Sequence, residues 1–380
     1  MKIIWVTEDF PPMPGGIATF LSELAKGLTK KGHGVRVLAP EMSHASKFDD
    51  KQQYTVIRYR LSRYLSSLSL GWHVLKQIIN EKPDILFVGH AMATHGLFVL
   101  LLCWCFRIPY VVLIHAGHIP IGRASMINRI SAHVFLKNAA LLFANSTFTY
   151  QLLLERGFSE RNIKILTPGV DTCFFSPPKD AVAIEQIRSQ YSALKETLIL
   201  NVGRLVPKKN QRGIVKAVAD LLKRGIPVRC VIAGSGPERD RLHQCIEELG
   251  ISSWVSMIGN AEREKIRNLY QAADIVVLPS IVENDNHESF GIAALEASAC
   301  GKPVIVGARG GQKDAVVSGE TGVVVDAHDD KEIARAIALL IDKKDLANRM
   351  GEAGRHYVVT NFTWECVVDK AAEILSEAVY

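Results

Sequence analysis

The stretch from Glu283 to Pro303 reads ENDNHESFGIAALEASACGKP and is the most informative part of the chain. Two carboxylates, Glu288 and Glu296, stand eight residues apart. On one straight helix, at about 100° per residue, they would point about 80° apart and serve one ligand poorly. A loop carrying Glu288, with a helix opening near Phe290 and Gly291, removes the difficulty. The N–H groups near Phe290, Gly291 and Ile292 then lack partners within the helix and present the positive end of its dipole, which suits a phosphate. Glu288 would lie near a sugar attached to that phosphate. Glu296, further along the helix, can accept hydrogen bonds from both hydroxyls of a ribose. The plainer alternative is a pair of surface glutamates.

A second concentration, Gly203-Arg204-Leu205-Val206-Pro207-Lys208-Lys209-Asn210, follows the apolar run Leu198 to Val202. A diphosphate calls for charge-assisted donors, with a guanidinium gripping two oxygens and an ammonium acting as a point charge. Arg204 and Lys209 supply both types at a strand end, although a solvated loop would read the same way. Gly234-Ser235-Gly236-Pro237 follows another apolar run, and Gly15-Gly16 stands before a helical pattern. Such glycines let backbone approach a ligand, or simply make a tight turn. Neither segment is a GxGxxG fingerprint, which disfavours a dinucleotide cofactor. The run Tyr110 to Ile114 ends at His115, with Gly117-His118 two residues on. An imidazole at a strand's carboxyl end can bond sugar hydroxyls or a developing charge, or can be a satisfied structural residue. In Asn145-Ser146-Thr147, the hydroxyls have the option of only capping the next helix. No DxD triplet, CxxC pair or zinc-spaced Cys/His cluster occurs, so no metal or other cofactor is required.

The elements that must position these residues alternate. Short apolar runs at 3–6, 85–88, 110–114, 141–144 and 163–166 are separated by helical patterns, and the rhythm restarts at 198–202, 228–233, 255–258, 275–278, 303–306 and 323–325. Alternation of this kind predicts an α/β protein with mainly parallel sheets covered by helices. A length of 380 residues favours two such domains. The turn-rich stretch Thr167 to Pro178 marks the boundary, giving domains over 1–170 and 171–362 and a helical tail over 363–380 that packs back toward the first domain. The apolar run Gly96 to Phe106 is too short to span a membrane, which takes about 20 residues, and is expected to be a buried helix. The opening strand meets Glu8 and Asp9 too soon for a secretory signal. Most of the seven scattered cysteines lie in apolar runs and are expected to be small buried hydrophobes, which fits a reducing compartment. Charge is uneven: residues 1–175 hold 19 Lys/Arg against 11 Asp/Glu, a surplus of +8, and residues 176–380 hold 26 against 28, or −2. A basic first half suits an anionic membrane or acceptor, unless it is mere surface imbalance. No basic–aromatic interleaving points to nucleic acid.

Taken in order, Gly15-Gly16, His115, Ala144-Asn145-Ser146, Pro168-Gly169-Val170-Asp171, Val202-Gly203-Arg204 with Lys209, Gly234-Ser235-Gly236-Pro237 and the Glu288 to Glu296 pair resemble the retaining glycosyltransferases of family 4 over nearly the whole chain. The stretch Leu295 to Gly301 looks most like the phosphatidylinositol mannosyltransferase type. The resemblance implies the GT-B fold, two Rossmann-like domains facing across a cleft. It implies an acceptor-side first domain and a second domain that binds the nucleotide-sugar donor. Arg204 and Lys209 would hold the diphosphate and Glu296 the ribose. Glu288 and Ser289, with the backbone of Phe290, Gly291 and Ile292, would hold sugar and phosphate. Gly15, Gly16 and Gly234 would admit the donor, Ile258 and Gly259 would back the base, and His115 would contact the sugar. The donor would be GDP-mannose or a UDP-sugar and the acceptor a lipid-linked or other glycan of the cell envelope. The protein would be cytoplasmic and peripheral at the inner membrane face. One departure stands after 303–306, where the family usually shows Gly-Gly-Pro and a carboxylate and this chain has Gly310-Gly311-Gln312-Lys313-Asp314. A sugar-nucleotide epimerase, a phosphorylase of the same fold and a non-catalytic nucleotide-sugar-binding protein are the alternatives.

Overall fold

The structure is a computed structural model that describes every residue except 14, 61–65, 91–95, 117–124, 194, 284–285 and 380, and omits the side chains of 66–68. The chain divides into two compact units, Met1–Pro168 with Trp364–Tyr380, and Gly169–Thr363.

In unit 1 the order is β1 (Lys2–Val6), α1 (Gly16–Lys30), β2 (Gly34–Pro40), α2 (Ala45–Asp49), β3 (Thr55–Tyr59), α3 (Ser66–Glu81), β4 (Ile85–Val88), α4 (Gly96–Phe106), β5 (Tyr110–Ile114), α5 (Met126–Lys137), β6 (Leu141–Ala144), α6 (Thr147–Glu155) and β7 (Ile163–Ile165). The strands form a parallel sheet in the order β3-β2-β1-β4-β5-β6-β7. β4, β5 and β6 are buried along their whole length. That is why they read as unbroken apolar runs rather than alternating ones. β3 was not anticipated. Its sequence, TVIRY, is an edge strand with Thr55 exposed and Arg58 part-buried, so no apolar run betrays it.

Unit 2 runs α7 (Ala181–Ser189), β8 (Thr197–Val202), α8 (Gln211–Lys223), β9 (Val228–Ala233), α9 (Arg239–Glu248), β10 (Val255–Gly259), α10 (Arg263–Ala272), β11 (Ile275–Leu278), α11 (Ile292–Ala299), β12 (Val304–Gly307), β13 (Gly322–Val325), α12 (Asp330–Asp342) and α13 (Lys344–Asn361). Its parallel sheet has the order β10-β9-β8-β11-β12-β13. The order reverses between β8 and β11, and ligands of such sheets sit beyond the carboxyl ends at that switch. The last helix, α14 (Trp364–Val379), belongs to unit 1 and packs on α1.

Two expectations need correction. The helix over Gly96–Phe106 forms, but it is not buried: Val99, Leu102 and Cys103 face inward while Leu97, Leu101, Trp104 and Phe106 are exposed, Trp104 by 77%. A helix that is apolar all round can turn only one stripe to its sheet, and here nothing described covers the rest. Of the cysteines, Cys103, Cys230, Cys245 and Cys300 are buried, but Cys105, Cys173 and Cys366 are exposed.

Candidate functional site

Three neighbouring strands of unit 2 end in glycine. Gly203 after β8, Gly234 after β9 and Gly259 closing β10 have φ of 159°, 148° and 69°. Gly203 N donates to Ala233 O at 3.0 Å, and Gly234 N donates to Gly259 O at 2.8 Å. A Cβ on Gly234 would stand 1.9 Å from Gly203 O, so only glycine fits there. Leu205 N bonds Ser235 O at 2.9 Å, and a Cβ on Gly236 would lie 2.2 Å from Leu205 O. The result is a floor of bare backbone at the carboxyl end of the sheet, with half-buried Ile258 beside it.

The cations rise from that floor. After β8 the chain passes exposed Arg204 and forms a 3-10 turn over Pro207–Lys209. Asn210 then turns left-handed at φ 51° and caps α8 through Gly213 N. Lys209 Nζ lies 2.8 Å from Glu288 Oε2, with both side chains mostly buried. Lys208 Nζ donates to Asn286 Oδ1 and His287 O, each at 3.2 Å. Burial opposes the Glu288 charge, but Lys209 and Lys208 outweigh it and hold the carboxyl below its ordinary range. Burial pushes the Lys208 ammonium down; Glu288 opposes that, and Lys209 and Arg204 add to it. Two lysines thus face one carboxylate, with Arg204 acting on Lys208, and the net local charge is positive. An incoming anion would relieve the mutual repulsion of the cations.

The backbone of Glu288 is held from the other side. Gly311 N donates to Glu288 O at 2.8 Å, and a Cβ on Gly310 would meet that oxygen at 2.7 Å. Gln312, 1% exposed, lends its side-chain oxygen to Ser280 N at 3.2 Å and lies against Gly291. The departure from Gly-Gly-Pro therefore places a buried amide brace between the end of β11 and the start of α11. Gly291 caps α11 at φ 89°. Glu288 and half-buried Ser289 lie in the loop before it, Phe290 is 2% exposed and anchored near Phe362, and Ile292 is the first helical residue.

Glu296 lies on α11, and its partner is aromatic. Tyr270 on α10, fully buried, donates its hydroxyl to Glu296 Oε2 at 3.1 Å. Burial raises the Glu296 carboxyl to about 7, against smaller lowering by Tyr270 and Arg263. Desolvation first, and then the Glu296 charge, push the Tyr270 phenol well above its ordinary value. Tyr270 was not singled out from the sequence, whereas Lys208 was read only as one of two lysines in a positive site and Gln312 only as a departure from the family pattern. Tyr270 is 26 residues from Glu296 and Gln312 is 32 from Ser280, so no local pattern announced either contact.

Gly15, Gly16 and His115 belong to unit 1. Gly15 takes φ 155° and ψ 155° before Gly16 opens α1, a conformation that excludes larger residues. His115, 4% exposed, follows β5, with its Nδ1 2.9 Å from Asn145 Nδ2. His118 lies outside the described residues. Among the described residues no group of three or more His, Cys, Asp and Glu is placed to hold a metal ion.

Residues 14–174 match the family described as Glycosyltransferase Family 4, and residues 183–357 match Glycosyl transferases group 1. A GDP-mannose-dependent alpha-(1-6)-phosphatidylinositol monomannoside mannosyltransferase of Mycobacterium tuberculosis is 28% identical, with 98% of each chain aligned. A D-inositol 3-phosphate glycosyltransferase of Corynebacterium jeikeium is 35% identical over 66% of this chain and 60% of its own. HepE of Anabaena, crystallised with UDP, superposes with a TM-score of 0.85 at 22% identity, covering 99% of this chain and 100% of its own.

Proposed function

Since this chain belongs to the family 4, group 1 glycosyltransferases, we propose that it moves a hexose, with retention, from a nucleoside-diphosphate sugar to a lipid-linked or glycan acceptor at an anionic membrane surface. The observation that carries the donor half is the Lys209–Glu288 pair, flanked by Lys208 and Arg204, beside the start of α11. Transfer breaks the bond between the anomeric carbon and the diphosphate, and the electron pair leaves with the diphosphate oxygen. Arg204, Lys209 and the first amides of α11 oppose that growing charge, the largest catalytic contribution expected of such a site. The acceptor oxygen bonds the anomeric carbon from the face the diphosphate leaves, and the acceptor proton passes to the departing phosphate. Glu288, kept ionised by its lysines, accepts hydroxyls of the transferred sugar. Glu296 accepts the ribose diol once deprotonated, and Gly234 and the Ile258–Gly259 backbone floor the base. In unit 1, His115 contacts the sugar, and Gly15-Gly16 admits the donor. The relative of 98% coverage names GDP-mannose, which puts that donor first and UDP-sugars second.

The acceptor half rests on the outer face of unit 1. α4 packs with α3 and α5, and the three expose Trp72, Leu101, Trp104, Met126, Ile127 and Ile130. Lys76, Arg107, Arg129 and Lys137 lie on or next to the same helices, and α4 and α5 carry no carboxylate. Apolar side chains set among cations fit the headgroup region of an anionic bilayer. No described helix is long and apolar enough to cross one.

A thermal-shift series with GDP, UDP, ADP and their sugars tests the donor site. At a hundredfold excess over Kd, a ligand adds about 2.7 kcal/mol, or roughly 5–10 °C in a domain of this size. One nucleotide should give that shift, and Arg204→Ala and Glu296→Ala should each largely abolish it. No shift with any of them would overturn the donor assignment.

A further inference from the structure

We propose that Asn145, held by Ser146 and Thr149, is a positioning residue that locks His115 with its proton on Nε2, so that this imidazole works as a neutral hydrogen-bond donor and not as a proton acceptor. Its use in transfer rests on the proposed contact of His115 with the sugar; the tautomer itself does not.

The argument starts from a donor whose direction cannot reverse. The backbone N–H of Thr149, in the first turn of α6, donates to Ser146 Oγ at 3.1 Å. Ser146 Oγ lies 3.0 Å from Thr149 Oγ1, which lies 2.8 Å from Asn145 Oδ1. Asn145 Nδ2 in turn lies 2.9 Å from His115 Nδ1. Ser146 and Thr149 are 0% exposed and Asn145 is 3% exposed, so no bulk water edits the network.

Two polarities satisfy these distances once the arrangement in which Ser146 and a flipped Asn145 amide both donate to Thr149 Oγ1 is set aside, because it strands the buried Thr149 proton. In one, Ser146 gives its proton to Thr149, Thr149 gives its own to Asn145 Oδ1, and the amide N–H faces the ring. Both hydroxyl protons and the amide N–H that faces the ring then have acceptors. In the other, the Asn145 amide is flipped and Thr149 donates back to Ser146 Oγ. That oxygen already accepts the peptide N–H, so the Ser146 proton is left without an acceptor in a fully buried site. Stranding a buried donor costs more than a made bond gains. The first polarity wins. It presents an N–H to His115 Nδ1, which must therefore be the acceptor, and a neutral ring then carries its proton on Nε2. The helix cap of α6 thus sets the chemistry of the residue that follows β5, the neighbouring strand of β6. Ser146, one of the two hydroxyls read from sequence as a helix cap, is both the cap and the source of the polarity.

The measurement is the long-range proton–nitrogen spectrum of the histidine rings in the labelled full-length protein, with His115 assigned by its loss in His115→Gln. The wild type should show His115 protonated at Nε2 alone. Asn145→Asp replaces the donor with an acceptor of the same shape and should move the proton to Nδ1 or charge the ring. Thr149→Ser should keep the wild-type pattern, and Thr149→Val should lose it. A wild-type ring protonated at Nδ1, or an Asn145→Asp ring like the wild type, overturns the lock, and the first of these needs no variant to fold. In turnover, Asn145→Asp should lower kcat about tenfold or more while leaving the Kd of the free nucleoside diphosphate within about twofold. An unchanged kcat overturns the role in transfer. Failure of every nucleotide to bind the wild type would sink the donor reading instead, and leave the ring spectrum to decide the lock on its own.

Discussion

At the scale of the residue, Glu296 carries the sharpest consequence. Its carboxyl sits at about 7 instead of the ordinary 4.5 because it is buried beside Tyr270. A folded value above the unfolded one means that the folded chain binds an extra proton between those limits. The stability this gives is complete below about 4.5 and is lost as pH rises through about 7. Ligation of a ribose diol asks for the opposite, the ionised form. Glu296→Gln should therefore separate the two. With no ligand, the variant should melt like the wild type at pH 5 and higher at pH 8. The gain should be about 1–2 kcal/mol, reduced for the part of Glu296 that water reaches, or a few degrees. Nucleotide-sugar affinity in the wild type should fall as pH drops below about 7, approaching tenfold per unit, and the variant should bind weakly at every pH. Melting curves and titrations at four pH values decide it; a variant that is no more stable at pH 8 would show that Glu296 is not destabilised by its charge. Lys209 and Glu288 differ in kind, since each is the other's counterion and neither can be removed without stranding a buried charge.

At the scale of the element, the site was legible where chemistry lies in local sequence and illegible where it depends on long-range packing. The helical angle between Glu288 and Glu296 alone puts Glu288 in a loop, and α11 does begin after it, at Ile292. Strands ending in Gly203, Gly234 and Gly259 announce themselves because a backbone at φ 148° against a carbonyl has no other residue to use. The contacts of Tyr270 and Gln312 were hidden, since a phenol on α10 and an amide after β12 meet their partners only once the sheet has formed. The helix α4 misleads for a related reason. Its apolar residues show no period, and the sequence therefore cannot say which of them have a partner. The structure leaves Leu101 and Trp104 outward. If that face meets lipid, vesicles rich in anionic phospholipid should sediment the protein at low salt, and neutral vesicles should take up much less. Leu101→Asn with Trp104→Ser, both exposed and outside the inward stripe, should weaken binding by about tenfold or more, since each large apolar side chain buried in full is worth about 1.5–3 kcal/mol. Melting temperature should hardly move. Equal uptake of wild type and variant would remove α4 from the membrane contact.

At the scale of the whole molecule, the chain leaves unit 1 after Pro168 and returns to it at Trp364. The return is not ornamental. α14 buries Val367, Val368, Ala371, Ile374 and Leu375 in the core on one face of the first sheet, and Trp364 stacks on Phe20 at 5.9 Å. Gly27 on α1 has no room for a Cβ because Val368 occupies that space, and Lys31 pairs with Asp369 across the same contact. The four branched side chains alone stand for roughly 6–12 kcal/mol of apolar burial, comparable with the entire stability of a typical domain. Unit 2 has a core of its own, built on Ile214, Val218, Val277 and Ile337. A chain ending at Thr363 should therefore melt in two steps. Unit 1 should unfold early or be unfolded from the outset, with exposed apolar surface that binds dye. Unit 2 should melt near its original temperature and still shift with the nucleotide that shifts the full chain, because Arg204, Lys209, Glu288 and Glu296 all lie within Gly169–Thr363. Transfer should vanish, since Gly15, Gly16 and His115 belong to the unit that was lost. Calorimetry of the two chains, with and without nucleotide, reads all of this at once. A truncated chain that melts in one unchanged transition would mean that α14 adds little to the core it enters, and loss of the nucleotide shift along with unit 1 would mean that the donor site is not held by unit 2 alone.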